Sequence, residues 1–256
     1  MEILDLVEDE SILYVTINRP KQRNSINKEL LDMLFQAMDY AIETPSISVV
    51  VFQGTAGFFC TGMELEKVAD SSMAGDESSL TQRYMDFLEL ISTAKVATIA
   101  VVDGTVLAGG VGIVAACDYA IGTKRAKFSL SEALWGLLPC MVLPFLSRKI
   151  GFNKAKIMTM TTLPIDGEEA FKAGLLDTLT DDPESELSHF CARLIKIDRE
   201  TIAKIKTYFE HINPISKEIK EYAVETTTSL FQSEKVIKNI SDFVNYKIFP
   251  WENRRE

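Results

Sequence analysis

The stretch ATIAVVDGTVLAGGVGIVAA, residues 97–116, decides the fold class. Ala97 to Val102 is a short run of apolar and β-branched residues typical of a strand. Beyond the turn at Asp103-Gly104, residues Gly109 to Ala116 are small and suit a closely packed helix, and Tyr119 to Gly122 supplies the next strand. Because parallel strands need a crossover between them, this order predicts an α/β protein with helices packed on a parallel sheet.

The same alternation begins upstream. Ile12 to Asn18 alternates β-branched and aromatic residues and predicts an opening strand. Asn27 can cap a helix whose apolar residues recur at helical spacing from Leu30 onward. Val49 to Phe52 is the next strand, and Thr81 to Ile91 again has a helical pattern. Two consecutive strand, helix, strand units are therefore predicted.

The second half of the chain is mainly helical in period. Asp166 and Glu169 have the spacing of a capping box, and Gly174 is suited to end the short helix that follows. We predict a core at residues 1–195 and a C-terminal helical region at 196–256. That region contains three amphipathic helices: Arg199–Ile212, Ser216–Phe231 and Lys235–Tyr246. Such helices must bury their apolar faces against the core or a second subunit, which favours self-association.

Composition excludes several classes of function. The 256 residues, 46% of them hydrophobic, can bury one large core. No apolar run approaches the roughly 20 residues that span a bilayer, and Met1 to Glu10 is acidic, unlike a signal peptide. We therefore expect a cytosolic protein. The formal net charge of -10 repels phosphate groups, so neither nucleic acid nor a membrane is an expected partner.

The cysteines and histidines offer little chemistry. The cysteines form no Cys-x-x-Cys pair, so no zinc or redox site is predicted and reduced, mostly buried thiols are expected. Both histidines lie in amphipathic helical stretches, where a place on the helix surface is the simplest interpretation, and a Ser-His-Asp triad has little support. These residues are Cys60, Cys117, Cys140 and Cys191, with His189 and His211.

Two segments place glycine between a strand and a helix. They are FFCTGMEL, residues 58–65, and DGTVLAGGVG, residues 103–112. The first N–H groups of a helix lack partners within it and can bind an anion or a developing oxyanion. An ordinary turn explains either segment alone, but two such junctions could converge on one oxygen. The glycine spacing of the second segment does not fit the G-x-G-x-x-G of dinucleotide-binding loops.

A third segment, AKFSLSEALWGLLP at residues 126–139, contains one carboxylate among apolar side chains. Burial near Phe128, Leu134 and Trp135 would raise the pKa of Glu132 toward neutrality, as a residue that takes and returns a proton requires. The alternative is a glutamate at a helix start, stabilised by the helix dipole.

These segments in this order resemble the crotonase (enoyl-CoA hydratase/isomerase) superfamily over essentially the whole chain. The matching motifs are Arg19-Pro20, Asn24-Ser25-Ile26-Asn27, Phe59 to Leu65, Leu107 to Asp118, and Ala170 to Asp177. The resemblance implies a ββα-superhelix (spiral) fold with a C-terminal helical trimerisation region, and a homotrimer or dimer of trimers. It also implies oxyanion-hole N–H groups at Met63 and Gly109.

One departure from the family pattern narrows the range of reactions that the resemblance implies. Typical hydratases carry two glutamates; one falls at Gly112 here, and the other is retained as Glu132. The chain is most similar to the polyketide-biosynthesis dehydratases of β-branching cassettes, and lacks a histidine after His211, where their decarboxylating sister enzymes use one. The stretches that carry this likeness are 128–139, 143–146 and 249–252. It implies dehydration of 3-hydroxy-3-methylglutaryl on an acyl carrier protein to the 3-methylglutaconyl thioester.

We therefore predict Glu132 as the catalytic residue that removes the α-proton. Tyr84 is the candidate second proton donor, with packing into the core as the alternative. Gly62, Gly110 and Leu137 are predicted to line the substrate. We expect no metal and no cofactor beyond the phosphopantetheine arm of the substrate. Two other functions stay open: an enoyl-CoA isomerase or hydratase of fatty-acid metabolism, and a catalytically silent scaffold.

Two binding sites need cations that the sequence does not single out. The distal carboxylate of the substrate could bind Lys67, Arg83, Arg148 or Lys247. An acidic carrier protein could dock on Arg148-Lys149, Lys154 to Lys156, Lys247 or Arg254-Arg255. Solvated surface charge is the alternative for each of them.

Overall fold

The computed structural model describes residues 3–64 and 77–252, except the side chains of 77–79. The strands are β1 (Leu4–Asp9), β2 (Ile12–Ile17), β3 (Val49–Gly54), β4 (Phe58–Cys60), β5 (Ala97–Val102), β6 (Thr105–Leu107), β7 (Tyr119–Gly122), β8 (Lys127–Ser129), β9 (Ile165–Asp166) and β10 (Thr178–Leu179). The helices are α1 (Lys28–Glu43), α2 (Glu77–Thr93), α3 (Gly109–Ala116), α4 (Glu132–Trp135), α5 (Leu143–Ile150), α6 (Phe152–Thr161), α7 (Gly167–Ala173), α8 (Pro183–Leu194), α9 (Arg199–Ile212), α10 (Lys217–Phe231) and α11 (Glu234–Tyr246).

The strands form two sheets that the chain visits in turn. The six-stranded sheet has the order β1-β2-β3-β5-β7-β10, and the four-stranded sheet has the order β4-β6-β8-β9. Within the first sheet only β1 and β2 pair antiparallel, and within the second only β8 and β9 do. Each of β3, β5 and β7 is followed directly by a strand of the second sheet, so each turn of the chain adds one strand to both sheets. This repeat is the predicted ββα spiral.

Both faces of the large sheet are covered. Along β3, Val50 and Phe52 face the main core, whereas Val49 and Val51 face a second cluster that includes Leu187 of α8. All four β3 side chains are fully buried, as expected of a parallel strand with helices on both sides.

Many predicted elements are confirmed. The bounds of β5, α3 and β7 are those read from the sequence. The Asn27 side chain accepts the Leu30 N–H and caps α1, and Asp166 with Glu169 forms the capping box of α7. Apart from the strand end at Phe58 to Cys60, the periodicity of the sequence predicted neither the strands of the second sheet nor β1. Most strands of that sheet have only three residues, too few to show a period.

The C-terminal helices pack on the spiral of the same chain. Lys206 of α9 is buried, and its ammonium group donates to Asp118 (2.8 Å) and to the Ile91 carbonyl (2.9 Å). The predicted boundary after residue 195 falls between α8 and α9, and the division into two regions stays a prediction. Among the described residues, no helix combines the length and apolarity that crossing a membrane requires.

Candidate active site

The first predicted oxyanion loop is held as an isolated strand-like bridge. The Ile26 N–H donates to the Gly62 carbonyl (2.7 Å), and the Glu64 N–H donates to the Ile26 carbonyl (3.2 Å). Successive N–H groups of an extended chain point to opposite sides. The Met63 N–H therefore points away from Ile26 and is free of that pairing, as an oxyanion donor needs to be.

A buried arginine supports this loop. The Arg19 guanidinium donates to the Ser25 carbonyl and to the Glu64 carboxylate, the latter at 2.6 Å. Asn24 accepts the Arg19 N–H (2.8 Å) and donates to the Phe58 carbonyl (2.7 Å). The N-terminal motif thus has a structural role that sequence reasoning did not assign, since these partners lie far apart in the chain.

The second loop joins β6 to α3 through a strained residue. Ala108 has φ 49° and ψ -120°, a conformation that side chains rarely adopt, and its N–H donates to the Ser129 carbonyl (3.0 Å). The next residue, Gly109, opens α3, so its N–H has no partner within the helix. Strain immediately before the first N–H group of a helix is typical of a functional turn.

The two loops are in contact at their glycines. A Cβ atom on Gly62 would lie 2.7 Å from the Ala108 Cβ and 3.0 Å from the Gly109 nitrogen. A Cβ atom on Gly110 would lie 2.2 Å from the Cys60 carbonyl oxygen. The main chains approach this closely only because both positions lack a side chain. Both glycines were predicted to line the substrate; that role stays a prediction, and the structure shows their packing role.

Glu132 is the first residue of α4, which begins shortly after β8. The residue is half-buried, but its Oε2 is closed off from solvent and, among the described residues, has no hydrogen-bond partner. Burial raises the pKa of Glu132 from its ordinary value of 4.5 to about 7, and the hydrogen bond from its own N–H only partly opposes this. Both sequence interpretations hold for its position, but burial outweighs the helix start in setting its charge.

Tyr84 of α2 lies beneath the second loop. Its hydroxyl donates to the Gly109 carbonyl, and the residue is 1% exposed. Burial raises the pKa of Tyr84 well above its ordinary value of 10.0, and the nearby Cys60 and Glu132 add to this. The structure thus brings Tyr84 together with Gly109 and Glu132, in the packed position given above as the alternative. Its role as proton donor stays a prediction.

Leu137, the third residue predicted to line the substrate, is buried in a cluster with the C-terminal helices. This cluster contains Trp135, Leu137, Phe231, Val236 and Ile240. The Asn239 side-chain amide donates to the Trp135 carbonyl (3.0 Å), and the Phe243 ring packs edge-on against the Trp135 ring, with centroids 4.9 Å apart. The short helix that carries Glu132 is therefore fixed by α11 of the same chain.

We expect Asn239→Ala to lower both stability and turnover. The change leaves the Trp135 carbonyl unpaired, at a cost of about 1 to 3 kcal/mol in the free energy of unfolding. Because Trp135 ends the helix that Glu132 begins, kcat should fall together with the free energy of unfolding. Urea unfolding and steady-state kinetics measure both. Asn245→Ala is the matched control, since Asn245 lies on the same helix but is exposed and donates to the Ser241 hydroxyl (3.1 Å); equal effects of both variants would contradict the assignment.

The candidate cations are mostly engaged. Arg83 pairs with Asp32 (2.5 Å), Arg148 with Glu210 (2.6 Å) and Lys149 with Asp177 (2.9 Å). Lys154 donates to the Ala173 carbonyl (3.1 Å), and Lys247 lies over the Phe243 ring. Lys156 is exposed. Lys67 and Arg254-Arg255 lie outside the described residues. The roles predicted for all of these stay predictions.

The cysteines and histidines lie where the sequence predicted them. Cys60, Cys117 and Cys191 are buried, Cys140 is partly so, and all four are unpaired, which confirms the expectation of free, mostly buried thiols. His189 and His211 are exposed on helices, as expected. Within residues 3–64 and 77–252, His, Cys, Asp and Glu side chains do not gather in threes where a metal could bind.

Two adjoining glycine loops contact each other, and Tyr84, which donates to the second of them, lies close to a half-buried glutamate whose pKa is raised to about 7. This is the kind of arrangement found in enzymes that stabilise an oxyanion while a carboxylate moves a proton. A family model described as enoyl-CoA hydratase/isomerase matches residues 7–254. The chain belongs to this family, and it is an enzyme of the hydro-lyase type.

Individual relatives agree with this assignment. Bacillaene synthase dehydratase PksH from Bacillus subtilis is 34% identical over 245 residues, covering 95% of this chain and 94% of that protein. The crystal structure of PksH from Bacillus subtilis superposes with a TM-score of 0.90 at 30% identity, covering 97% and 99% of the two chains. An enoyl-CoA hydratase from Mycobacterium avium paratuberculosis shares the fold, with a TM-score of 0.88 at 24% identity over the whole of both chains.

Proposed function

We propose that this enzyme removes water from 3-hydroxy-3-methylglutaryl attached to an acyl carrier protein, giving the 3-methylglutaconyl thioester. The observation that carries the proposal is the carboxylate of Glu132, which is half-buried with one oxygen closed off from solvent. Within residues 3–64 and 77–252 that oxygen has no hydrogen-bond partner, the pKa of Glu132 is raised to about 7, and position 112 is a glycine. The similarity to a dehydratase of a polyketide synthase over 95% of the chain supports the choice of substrate class.

The chemistry follows from these groups. The thioester oxygen accepts hydrogen bonds from the N–H groups of Met63 and Gly109, which stabilises the enolate formed when the α-proton leaves. The ionised Glu132 takes that proton. The protonated Glu132 then gives it to the departing 3-hydroxyl, the bond from C3 to oxygen breaks, and the double bond forms as water leaves. A pKa near 7 suits a group that takes and returns a proton within one cycle.

The carrier and the assembly belong to the same proposal. The substrate arm is the phosphopantetheine of an acyl carrier protein, and no further cofactor takes part. A homotrimer or a dimer of trimers is supported by the exposed apolar side chains on α9 and α10, which include Tyr208, Phe209, Ile212 and Tyr222. The cytosol remains the proposed location.

A second function is favoured by the same observation. An enoyl-CoA isomerase needs one carboxylate and an oxyanion hole, because it moves one proton between two carbons of a thioester. It would act on acyl groups attached to free coenzyme A.

Intact-protein mass spectrometry of the loaded carrier protein tests the proposal. With the wild-type enzyme we expect the carrier to lose the mass of one water, and with Glu132→Gln we expect no change. Isomerisation of 3-enoyl-CoA without dehydration of the carrier-bound substrate would contradict the dehydratase function and support the isomerase function. Turnover that is equal in the wild type and in Glu132→Gln would contradict both mechanisms.

A further inference from the structure

Tyr84 occupies the space that a side chain at position 112 would need. A Cβ atom on Gly112 would lie 2.4 Å from the Tyr84 hydroxyl oxygen, 3.1 Å from Val142 Cγ2 and 3.3 Å from Leu88 Cδ1. Cβ atoms in proteins essentially never lie within 3.0 Å of another nonbonded heavy atom. Even alanine therefore cannot enter here unless the phenol moves, and a second carboxylate at 112 is excluded in this packing.

The same hydroxyl group fixes the start of α3. It donates to the Gly109 carbonyl, and a Cβ atom on Gly109 would lie 3.2 Å from it. The residue before Gly109 is the strained Ala108, which the surrounding structure must hold in place. Of the groups on this loop, the Gly109 N–H is the one assigned to the oxyanion. The phenol thus contacts the residue that stabilises the transition state.

We infer that Tyr84 is a positioning residue that sets the Gly109 N–H, and that Tyr84 and Gly112 form a matched pair in place of a second carboxylate. The inference rests on the proposed function only for the role of the Gly109 N–H. The Tyr84 hydroxyl is buried and already donates its proton to a main-chain carbonyl. It acts on the reaction through Gly109, and the proton is handled by Glu132 alone.

A double-mutant cycle of Tyr84→Phe and Gly112→Ala tests the pair. Alone, Gly112→Ala should lower the unfolding midpoint strongly, because its Cβ meets the hydroxyl oxygen. With that oxygen removed, the remaining contacts are at 3.1 Å or more, so Gly112→Ala should cost much less in the Tyr84→Phe background. An equal cost in both backgrounds would overturn the pair. These unfolding measurements need no substrate, so they stand apart from the success of the dehydration assay.

Kinetics test the positioning role. We expect Tyr84→Phe to lower kcat by about three- to tenfold, the effect of one ordinary hydrogen bond, with an unchanged pH midpoint. A loss of roughly 10²-fold or more with a shifted pH profile and an intact fold would make Tyr84 a proton donor and overturn the inference. Tyr119→Phe is the control, since it removes a phenol bond to Thr178 (2.6 Å) elsewhere in the fold and should leave kcat unchanged. An unchanged kcat in Tyr84→Phe would also overturn it.

Discussion

Glu132→Gln is expected to lower kcat by roughly 10²- to 10⁴-fold, because it removes the group that moves the proton. Glutamine has nearly the same shape but cannot accept the α-proton. In the wild-type enzyme the ionised Glu132 is the active form, so kcat/KM should rise with pH through about 7 and then level off. Steady-state kinetics on the carrier-bound substrate across this range measure both effects. A wild-type profile that is flat through pH 7 would contradict the assignment of Glu132 as the base.

The same substitution should stabilise the protein above pH 7. The unfolded state releases the Glu132 proton near pH 4.5 and the folded state only near 7, so burial costs free energy that grows between these values and is complete above 7. The full penalty is roughly 3 to 4 kcal/mol, at ~1.4 kcal/mol for each pH unit. Glu132→Gln should therefore raise the free energy of unfolding at pH 8 and not at pH 4.

Glu168→Gln is the matched control for both measurements. Glu168 also lies in the first turn of a helix, but it is exposed and forms only a surface pair with Lys172 (3.8 Å). Turnover should be unchanged. The free energy of unfolding should change by no more than a few tenths of a kcal/mol at any pH. An equal alkaline stabilisation in this variant would show that the effect does not come from the burial of Glu132.

Gly62→Ala is expected to lower kcat by roughly 10²-fold or more, the effect of losing one oxyanion donor. The new methyl group would lie 2.7 Å from the Ala108 Cβ and 3.0 Å from the Gly109 nitrogen, and so would push the two loops apart. The loss should appear in kcat, because these donors act on the enolate and less on the bound ground state.

Gly57→Ala is the control that distinguishes the effect of the contact between the two loops from the effect of backbone strain. Gly57 has the same φ of +78° as Gly62, but a Cβ atom there has nothing within 4 Å. Both variants place alanine in the left-handed region, which costs about 1 to 2 kcal/mol of stability, and only Gly62→Ala should lose activity. Similar losses of kcat in both would place the cause in the backbone conformation instead of in the contact between the loops.

Local pattern and chemistry predicted the fold class and pointed to the residue proposed as the main catalytic group. Apolar periodicity predicted the order of strands and helices, because the residues on the buried face of each element recur at a regular spacing within one short segment. One carboxylate within an apolar segment predicted the raised pKa of Glu132, because desolvation depends on neighbours that are largely local. Most strands of the short second sheet could not be read from periodicity, because strands of three residues carry no period.

The sequence by itself thus determined the α/β class, the two glycine junctions and the glutamate whose pKa is raised. Only the tertiary structure decided how the site is held together. Arg19 reaches Glu64 across 45 residues, Tyr84 reaches Gly109 across 25, and Asn239 reaches Trp135 across 104. The reason is physical: each is a specific contact between segments far apart in the chain. Such contacts depend on how the sheets and helices pack, so they cannot be predicted from the sequence pattern of any one segment.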